Sequence, residues 1–233
     1  MAIGGEQMSE ASEISRRLID VSHEIEAGMI TYPGLPAPVV SDYLSREASS
    51  GRYAEGTTFQ IGRIEMIANT GTYVDAPFHR FEGGIDLSGL PLERLADVEG
   101  LVIDATGRDG RAIDGGYFQG LDLRDRAVLI RTGWDAHWRT AQYDEGAPFV
   151  TRRAAELLVE AAPALVGIDS VNIDDAQDGA RPAHTLLLGS GIPVVEHLCD
   201  LNKLPARGFR FHCVPVKFRG VGTFPVRAYA VMG

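Results

Sequence analysis

Three observations predict an α/β domain with a mixed sheet and flanking helices. The 233 residues include 27 Gly, which calls for many tight turns and suits a strand-rich mixed fold better than a helix bundle. Seven short runs of alternating or β-branched residues read as strands. One stretch with an apolar face at helical spacing lies between two of those runs, so a strand–helix–strand unit with a parallel pair follows.

The elements run as follows. Residues 1–17 are small and polar and are expected to form a disordered N-terminal segment, with a single domain over 18–233. Gly28 to Pro38 carries Pro33, Pro36 and Pro38, whose missing donors exclude a regular helix, so it reads as an extended arm or loop. Ser45 to Gly56 is polar and reads as a loop. Strands are expected in Phe59–Ala68, Val98–Ala105, Ala127–Thr132, Ala164–Ile168, Gly191–Glu196, Phe209–Phe218 and Val226–Val231. The clearest helix is Thr151–Ala162. Thr151 caps it, Ala154, Leu157, Leu158 and Ala161 share its apolar face, and Pro163 ends it. A second helix is expected over Trp134–Thr140.

Composition excludes several classes. A hydrophobic fraction of 45% is that of a globular chain. A net charge of -10 without a Lys/Arg cluster argues against nucleic acid or an anionic bilayer as partner. No apolar run reaches the roughly 18 residues of a membrane span, and the N-terminus lacks the features of a signal peptide. Cys199 and Cys213 read as small buried hydrophobes in a reducing cytoplasm. No Gly-rich dinucleotide loop, P-loop, G-x-S-x-G or H-E-x-x-H motif is present.

Three clusters carry candidate chemistry. The densest is Asn69-Thr70-Gly71-Thr72-Tyr73-Val74-Asp75-Ala76-Pro77-Phe78-His79. If the preceding strand continues, Asn69, Tyr73 and Asp75 share one face, since the side-chain period is two. The same residue types also make a plain turn, with Asp75 capping amides and His79 at the surface. The second cluster is His184, which opens an apolar run, and Glu196, which ends a strand of Ile and Val. A carboxylate at such a place must be paired, hydrogen-bonded or metal-bound. An ion pair with Arg131 or Arg227 would serve Glu196, and a core or capping role would serve His184. The third cluster holds Asp169, Asp174, Asp175 and Asp178. It lacks the EF-hand order and reads as a solvated loop, with Asp169 turned back onto the strand end.

Taken together, Ile19-Asp20-Val21-Ser22-His23, Tyr32-Pro33-Gly34, the 70–79 block, Ile130-Arg131-Thr132-Gly133-Trp134, Ala183-His184-Thr185 and Val195-Glu196-His197-Leu198 resemble the cyclase / kynurenine formamidase superfamily of metal-dependent hydrolases. The resemblance runs from about Leu18 to the end. It implies a swivelling β/β/α fold, a homodimer or homotetramer, and hydrolysis of N-formylkynurenine, isatin or related small amides. The superfamily motif is H-x-G-T-H-x-D-x-P-x-H. Carried over, Asp75, His184 and Glu196 are implied ligands of one divalent metal, Zn or Mn, and His79 the implied acid/base. This chain departs from the motif in having Asn69 and Tyr73 where the motif has its first two histidines. An amide oxygen and a protonated phenol are weak ligands, so the metal position built on those histidines is expected to be weakened or lost. Tyr73 and Asn69 instead become candidate oxyanion donors. Two further readings stay open: metal-free acid/base cyclisation, dehydration or isomerisation by Tyr73 and His79, and a non-catalytic small-molecule-binding protein. Trp134, Trp138 and the Tyr32-Pro33 arm are candidate pocket walls. His23, His137, His197 and His212 are expected to be structural or at the surface.

Overall fold

The computed structural model describes residues 16–233. Most of the segment expected to be disordered lies outside these residues, and at its end Arg17 already belongs to a strand. In chain order the elements are β1 (Arg17–Asp20), β2 (Val39–Leu44), α1 (Arg46–Ser49), β3 (Ile61–Glu65), β4 (Tyr73–Asp75), β5 (Val98–Asp104), β6 (Ala112–Ile113), β7 (Ala127–Arg131), β8 (Phe149–Val150), α2 (Arg152–Ala161), β9 (Leu165–Ile168), α3 (Pro182–Gly189), β10 (Val194–Glu196), β11 (Phe209–His212), β12 (Thr223–Pro225) and β13 (Tyr229–Met232). Among the described residues, nine strands form one mixed sheet in the order β1-β13-β11-β5-β7-β9-β10-β4-β12. This is the expected α/β architecture.

The centre of the sheet is parallel: β5 pairs with β7, β7 with β9 and β9 with β10. Such strands are covered on both faces and need apolar residues at successive positions. Strand β7 supplies them. Ala127 and Leu129 enter one core with Leu165, Val195 and Phe211, while Val128 and Ile130 enter a second with Val166, Ile168 and Val194. Helix α2 buries Ala154, Ala155 and Leu158 in that second core. Its Thr151 cap accepts from the Ala154 amide, as the sequence indicates.

Four expectations are corrected. The region after Gly133 forms a short 3-10 turn, Trp134–His137, which ends at Trp138 instead of extending to Thr140. The run from Phe209 stops pairing at His212, before Pro215. The last apolar run pairs only from Tyr229, with β12 as a separate strand upstream. The polar segment from Ser45 holds one helical turn, α1, capped by Ser45. Among the described residues, no helix is long and apolar enough to cross a membrane. Both cysteines are buried.

A third, aromatic core joins Tyr143 and Val171 with Tyr32, Trp134 and Trp138. Against it the His23 imidazole stacks on the Trp138 indole, 4.0 Å between centroids and 8° from coplanar. His23 Nε2 is buried without a partner. Burial pushes its pKa down to about 4, against the pull of Asp200. The unfolded chain therefore takes up this proton first. Stability is complete above the ordinary histidine value near 6.5 and falls as pH drops towards 4, by up to about 3 kcal/mol. His23→Phe keeps the stack and removes the titration. A series of melting temperatures from pH 7 to 4 is expected to fall less steeply in this variant than in the parent. Parallel curves would assign the loss to other groups.

Candidate functional site

Strand β4 lies between β10 and β12, antiparallel to both. Its register places Tyr73 opposite Glu196 and Pro225, and Asp75 opposite Val194 and Thr223. Tyr73, Asp75 and Glu196 are therefore on one face, and all three are buried. Helix α3 adds His184 from its first turn. The strand read from Phe59 ends at Glu65, so Asn69 reaches the site from the connecting loop, on the wall of the cavity described below.

Backbone freedom shapes this corner. Gly71 adopts φ +65°, and a Cβ there would come within 2.8 Å of the Ile25 side chain. At Gly222 a Cβ would lie 2.4 Å from the His79 backbone nitrogen. That close approach seats the 3-10 turn Pro77–His79 directly on the start of β12.

The His184 imidazole is the hub. Its Nδ1 lies 2.7 Å from Asp174 Oδ2, and Asp174 also accepts from the Ala183 and His184 amides at 2.6 and 3.0 Å. Asp174 thus caps α3 and fixes His184 at once, and the network places the Nδ1 proton towards it. Nε2 faces Glu196 Oε1 at 3.5 Å and Asp75 Oδ2 at 3.6 Å. Those separations are too long for good hydrogen bonds. Asp75 Oδ2 is buried and finds no donor at all. Two ligands about 2.1 Å from one tetrahedral ion stand about 3.4 Å apart, which is the spacing of His184 Nε2 from Asp75 Oδ2 and from Glu196 Oε1. Asp75, His79 and His184 also offer donor atoms within 4.8 Å of one another. The electrostatics agree. Burial alone would lower His184, but Glu196, Asp174 and Asp75 hold its pKa well above the ordinary value. Burial, with Asp75 adding, raises Glu196, against the pull of His184. The carboxylates need a positive charge among them, and a proton or a divalent cation supplies it.

His79 sits at the rim. Its Nδ1 is 2.8 Å from the Thr223 hydroxyl, which donates its one proton to Asp75 Oδ1. Thr223 must then accept from Nδ1–H, so the lone pair of neutral His79 is on Nε2.

A second chain of hydrogen bonds ends on Glu196. The Tyr143 hydroxyl lies 2.9 Å from His197 Nδ1, His197 Nε2 is 3.3 Å from the Tyr73 hydroxyl, and that hydroxyl donates to Glu196 Oε2 at 2.7 Å. Burial pushes His197 down to about 3, so it is neutral. Burial also raises Tyr73 and Tyr143 well above the usual phenol range, so both keep their protons. Donation therefore runs from Tyr143 through His197 and Tyr73 to the carboxylate. Glu196 further accepts from the Ile173 amide at 2.7 Å. Tyr143→Phe leaves His197 Nδ1 without a donor in the interior. A loss of about 1–3 kcal/mol in denaturant unfolding is expected. Unchanged stability would show that the imidazole is satisfied another way.

The expected ion pairs of Glu196 with Arg131 or Arg227 do not form. Arg131 pairs with Asp104 and Arg227 with Asp20. Asp169 does turn back, accepting from the Thr132 amide and hydroxyl and from the Gly133 amide. Asp174, read as part of a solvated loop, is buried and belongs to the site. Trp138 lines a separate depression with His23 and Cys199. Tyr32 reaches the site edge, 3.3 Å from the Tyr73 hydroxyl, and receives a bond from the Asn172 amide at 3.0 Å.

Asn69, Tyr73, His79, Arg80, Asn172, Arg181, His184 and Glu196 enclose a cavity of about 190 Å³. A buried carboxylate–imidazole cluster, with a basic imidazole nitrogen at the rim of a cavity this small, defines an enzyme site for a small molecule. The chain belongs to the cyclase family, whose profile, described as "Putative cyclase", matches residues 19–175. The chain is 28% identical over 202 residues to a protein of Erythrobacter litoralis named kynurenine formamidase, covering 87% of this chain and 88% of that one. It superposes on a structure described as a potential metal-dependent hydrolase with cyclase activity, with a TM-score of 0.76 and 26% identity, covering 93% of this chain and 98% of that one. It shares its fold with isatin hydrolase A from Labrenzia aggregata, with a TM-score of 0.78 and 24% identity over 93% of this chain and 94% of that one.

Proposed function

We propose that the protein is a metal-dependent hydrolase of small aryl or cyclic amides or lactones, similar to an arylformamidase. One divalent cation, Zn or Mn, is held by Asp75, His184 and Glu196. The observation that carries this reading is the orphaned Asp75 Oδ2, buried 3.6 Å from His184 Nε2. The names of the relatives support the same chemistry.

A cation bound there supplies Lewis-acid polarisation and a water that ionises near pH 7. The protein's own groups do the rest. His79 takes the proton of the attacking water at Nε2 and returns it to the leaving nitrogen or oxygen. Thr223 and Asp75 hold its ring in the tautomer that this requires. The Asn69 amide is the neutral donor on the cavity wall for the developing oxyanion, while the Tyr73 phenol, whose one proton is committed to Glu196 Oε2, orients that carboxylate. Asp174 keeps the His184 lone pair directed at the carboxylates.

The test is hydrolysis of formanilide by protein loaded with Zn or Mn and by the same protein after chelation, with metal content measured in parallel. Turnover is expected to vanish on chelation and to return with metal. Turnover that survives complete metal removal would overturn the reading in favour of metal-free acid/base chemistry by Tyr73 and His79. Ligand binding with no turnover in either state would indicate a binding protein. The reading includes a homodimer or homotetramer, because the β2–β3 ribbon exposes Val39, Val40, Tyr43, Ile61 and Ile64, and a two-stranded ribbon is marginal on its own.

A further inference from the structure

We infer that Arg80 and Arg181 form an anion-binding rim, so that the substrate carries a carboxylate beside the carbonyl that is attacked. This rests on the hydrolase reading above and adds the substrate class.

Both arginines line the 190 Å³ cavity whose floor is Glu196 and His184. Neither is within ion-pair distance of an acid among the described residues. Arg111, Arg126 and Arg131 are, whereas Arg94, Arg108 and Arg124, like these two, are not; what sets Arg80 and Arg181 apart is that they share one cavity. Two guanidinium groups beside one small cavity thus make no direct ion pair among the described residues, although the Asp175 carboxylate lies close enough to Arg181 to feel its charge.

They are nevertheless held in place, by neutral partners. Arg181 Nη1 donates to the Asp175 carbonyl at 3.2 Å and points to Asn172 Oδ1 at 3.5 Å. Its backbone sits at φ +45° and ψ +60°, a left-handed conformation that costs a non-glycine residue about 1–2 kcal/mol. Arg80 Nε donates to the Thr185 hydroxyl at 3.3 Å, and its guanidinium lies over the Phe81 ring, 5.2 Å from the centroid. Each group thus has orientation without neutralisation, and spare N–H donors. That is what a planar fork needs in order to bind a carboxylate. Both are tied to the start of α3, the helix that carries His184. The separation of charge also gives a direction. The floor is acidic and suits a cation and a polarised carbonyl, while the rim is basic, so an anionic substituent is attracted to the mouth and repelled from the floor.

The binding test uses two fluorescent probes of the same shape, 2-aminobenzoate and the neutral 2-aminobenzamide, on metal-loaded protein. The carboxylate is expected to bind at least about tenfold more tightly, an advantage that shrinks with salt. Arg181→Gln and Arg80→Gln are each expected to remove most of it, and the Lys variants to restore part of it. Arg80 is exposed, so its variant reports even if the Arg181 change disturbs the loop. Equal affinity for the two probes, or a preference that survives both Gln variants, would overturn the inference. A second measurement separates it from the hydrolase reading: the kcat/KM ratio of 2-formamidobenzoate to its methyl ester. Hydrolysis of both with a ratio near one, unmoved in the Gln variants, defeats the anion rim and leaves the hydrolase. Failure to hydrolyse either, with the probe preference intact, defeats the hydrolase and leaves the rim.

Discussion

Asp75→Ala is expected to lose bound metal and turnover together, whereas His79→Ala keeps the metal and loses turnover alone. Asp75 contributes the one buried carboxylate oxygen without a hydrogen-bond partner among the described residues. With it removed, His184 and Glu196 cannot hold a cation by themselves at ordinary concentrations. Activity should fall by about a thousandfold or more, in proportion to the lost metal. His79 is at the rim with its Nδ1 committed to Thr223. Its loss should cost about a hundred- to ten-thousandfold in kcat, the range of a general acid/base. Elemental analysis beside kcat separates the two roles. If His79→Ala also empties the site, His79 is a ligand in place of Glu196, an arrangement that the 4.8 Å grouping of Asp75, His79 and His184 permits. Stability gives an independent check. A buried carboxylate with one oxygen lacking any donor is costly, and Asp75→Asn keeps its shape without its charge. In metal-free protein this variant should melt no lower than the parent, as expected where stability has been given up for function.

The second large effect is expected at Asp174, which touches neither substrate nor cation. Asp174→Asn replaces the acceptor of His184 Nδ1–H with an amide that cannot both receive that proton and serve the Ala183 and His184 amides. The imidazole is then free to rotate or to change tautomer. Metal affinity should drop about ten- to a hundredfold, the usual loss when a group that orients a ligand is removed. Competition against a chromophoric chelator measures it directly. An unchanged affinity would mean that packing alone holds His184. The same variant should be less stable, because α3 loses the cap on its first amides.

Much of this was legible in the sequence. The two-sided burial of β7 and β9 shows in their unbroken apolar runs, and the face and cap of α2 in Thr151 and the spacing of its alanines and leucines. The chemical inventory of the 69–79 block shows as well, because Gly71, Pro77, Asp75 and His79 are crowded into a strand end. Helix α3 was harder, since Pro182 to Gly189 is apolar nearly all round and lacks the one-sided pattern that marks a surface helix. Asp174 was not legible at all. It is one of four aspartates within ten residues, and nothing in their order tells the buried one from the solvated ones.

What the sequence alone determined is local: which segments pair, which faces are apolar, and which acids and imidazoles are available. Those follow from the period of two or 3.6 and from the cost of placing polar groups in a strand. Only the tertiary structure decided how they are used. Asp75 meets His184 and Glu196 across more than a hundred residues of chain. Tyr73 gives its proton to Glu196 because β4 pairs with β10 in that register. Arg80 and Arg181 make no direct ion pair among the described residues because the fold sets the acids nearest them against other partners, as Asp175 is set against Arg111. The environment of a charged group is set by what distant segments bring to it, and no short-range pattern carries that information.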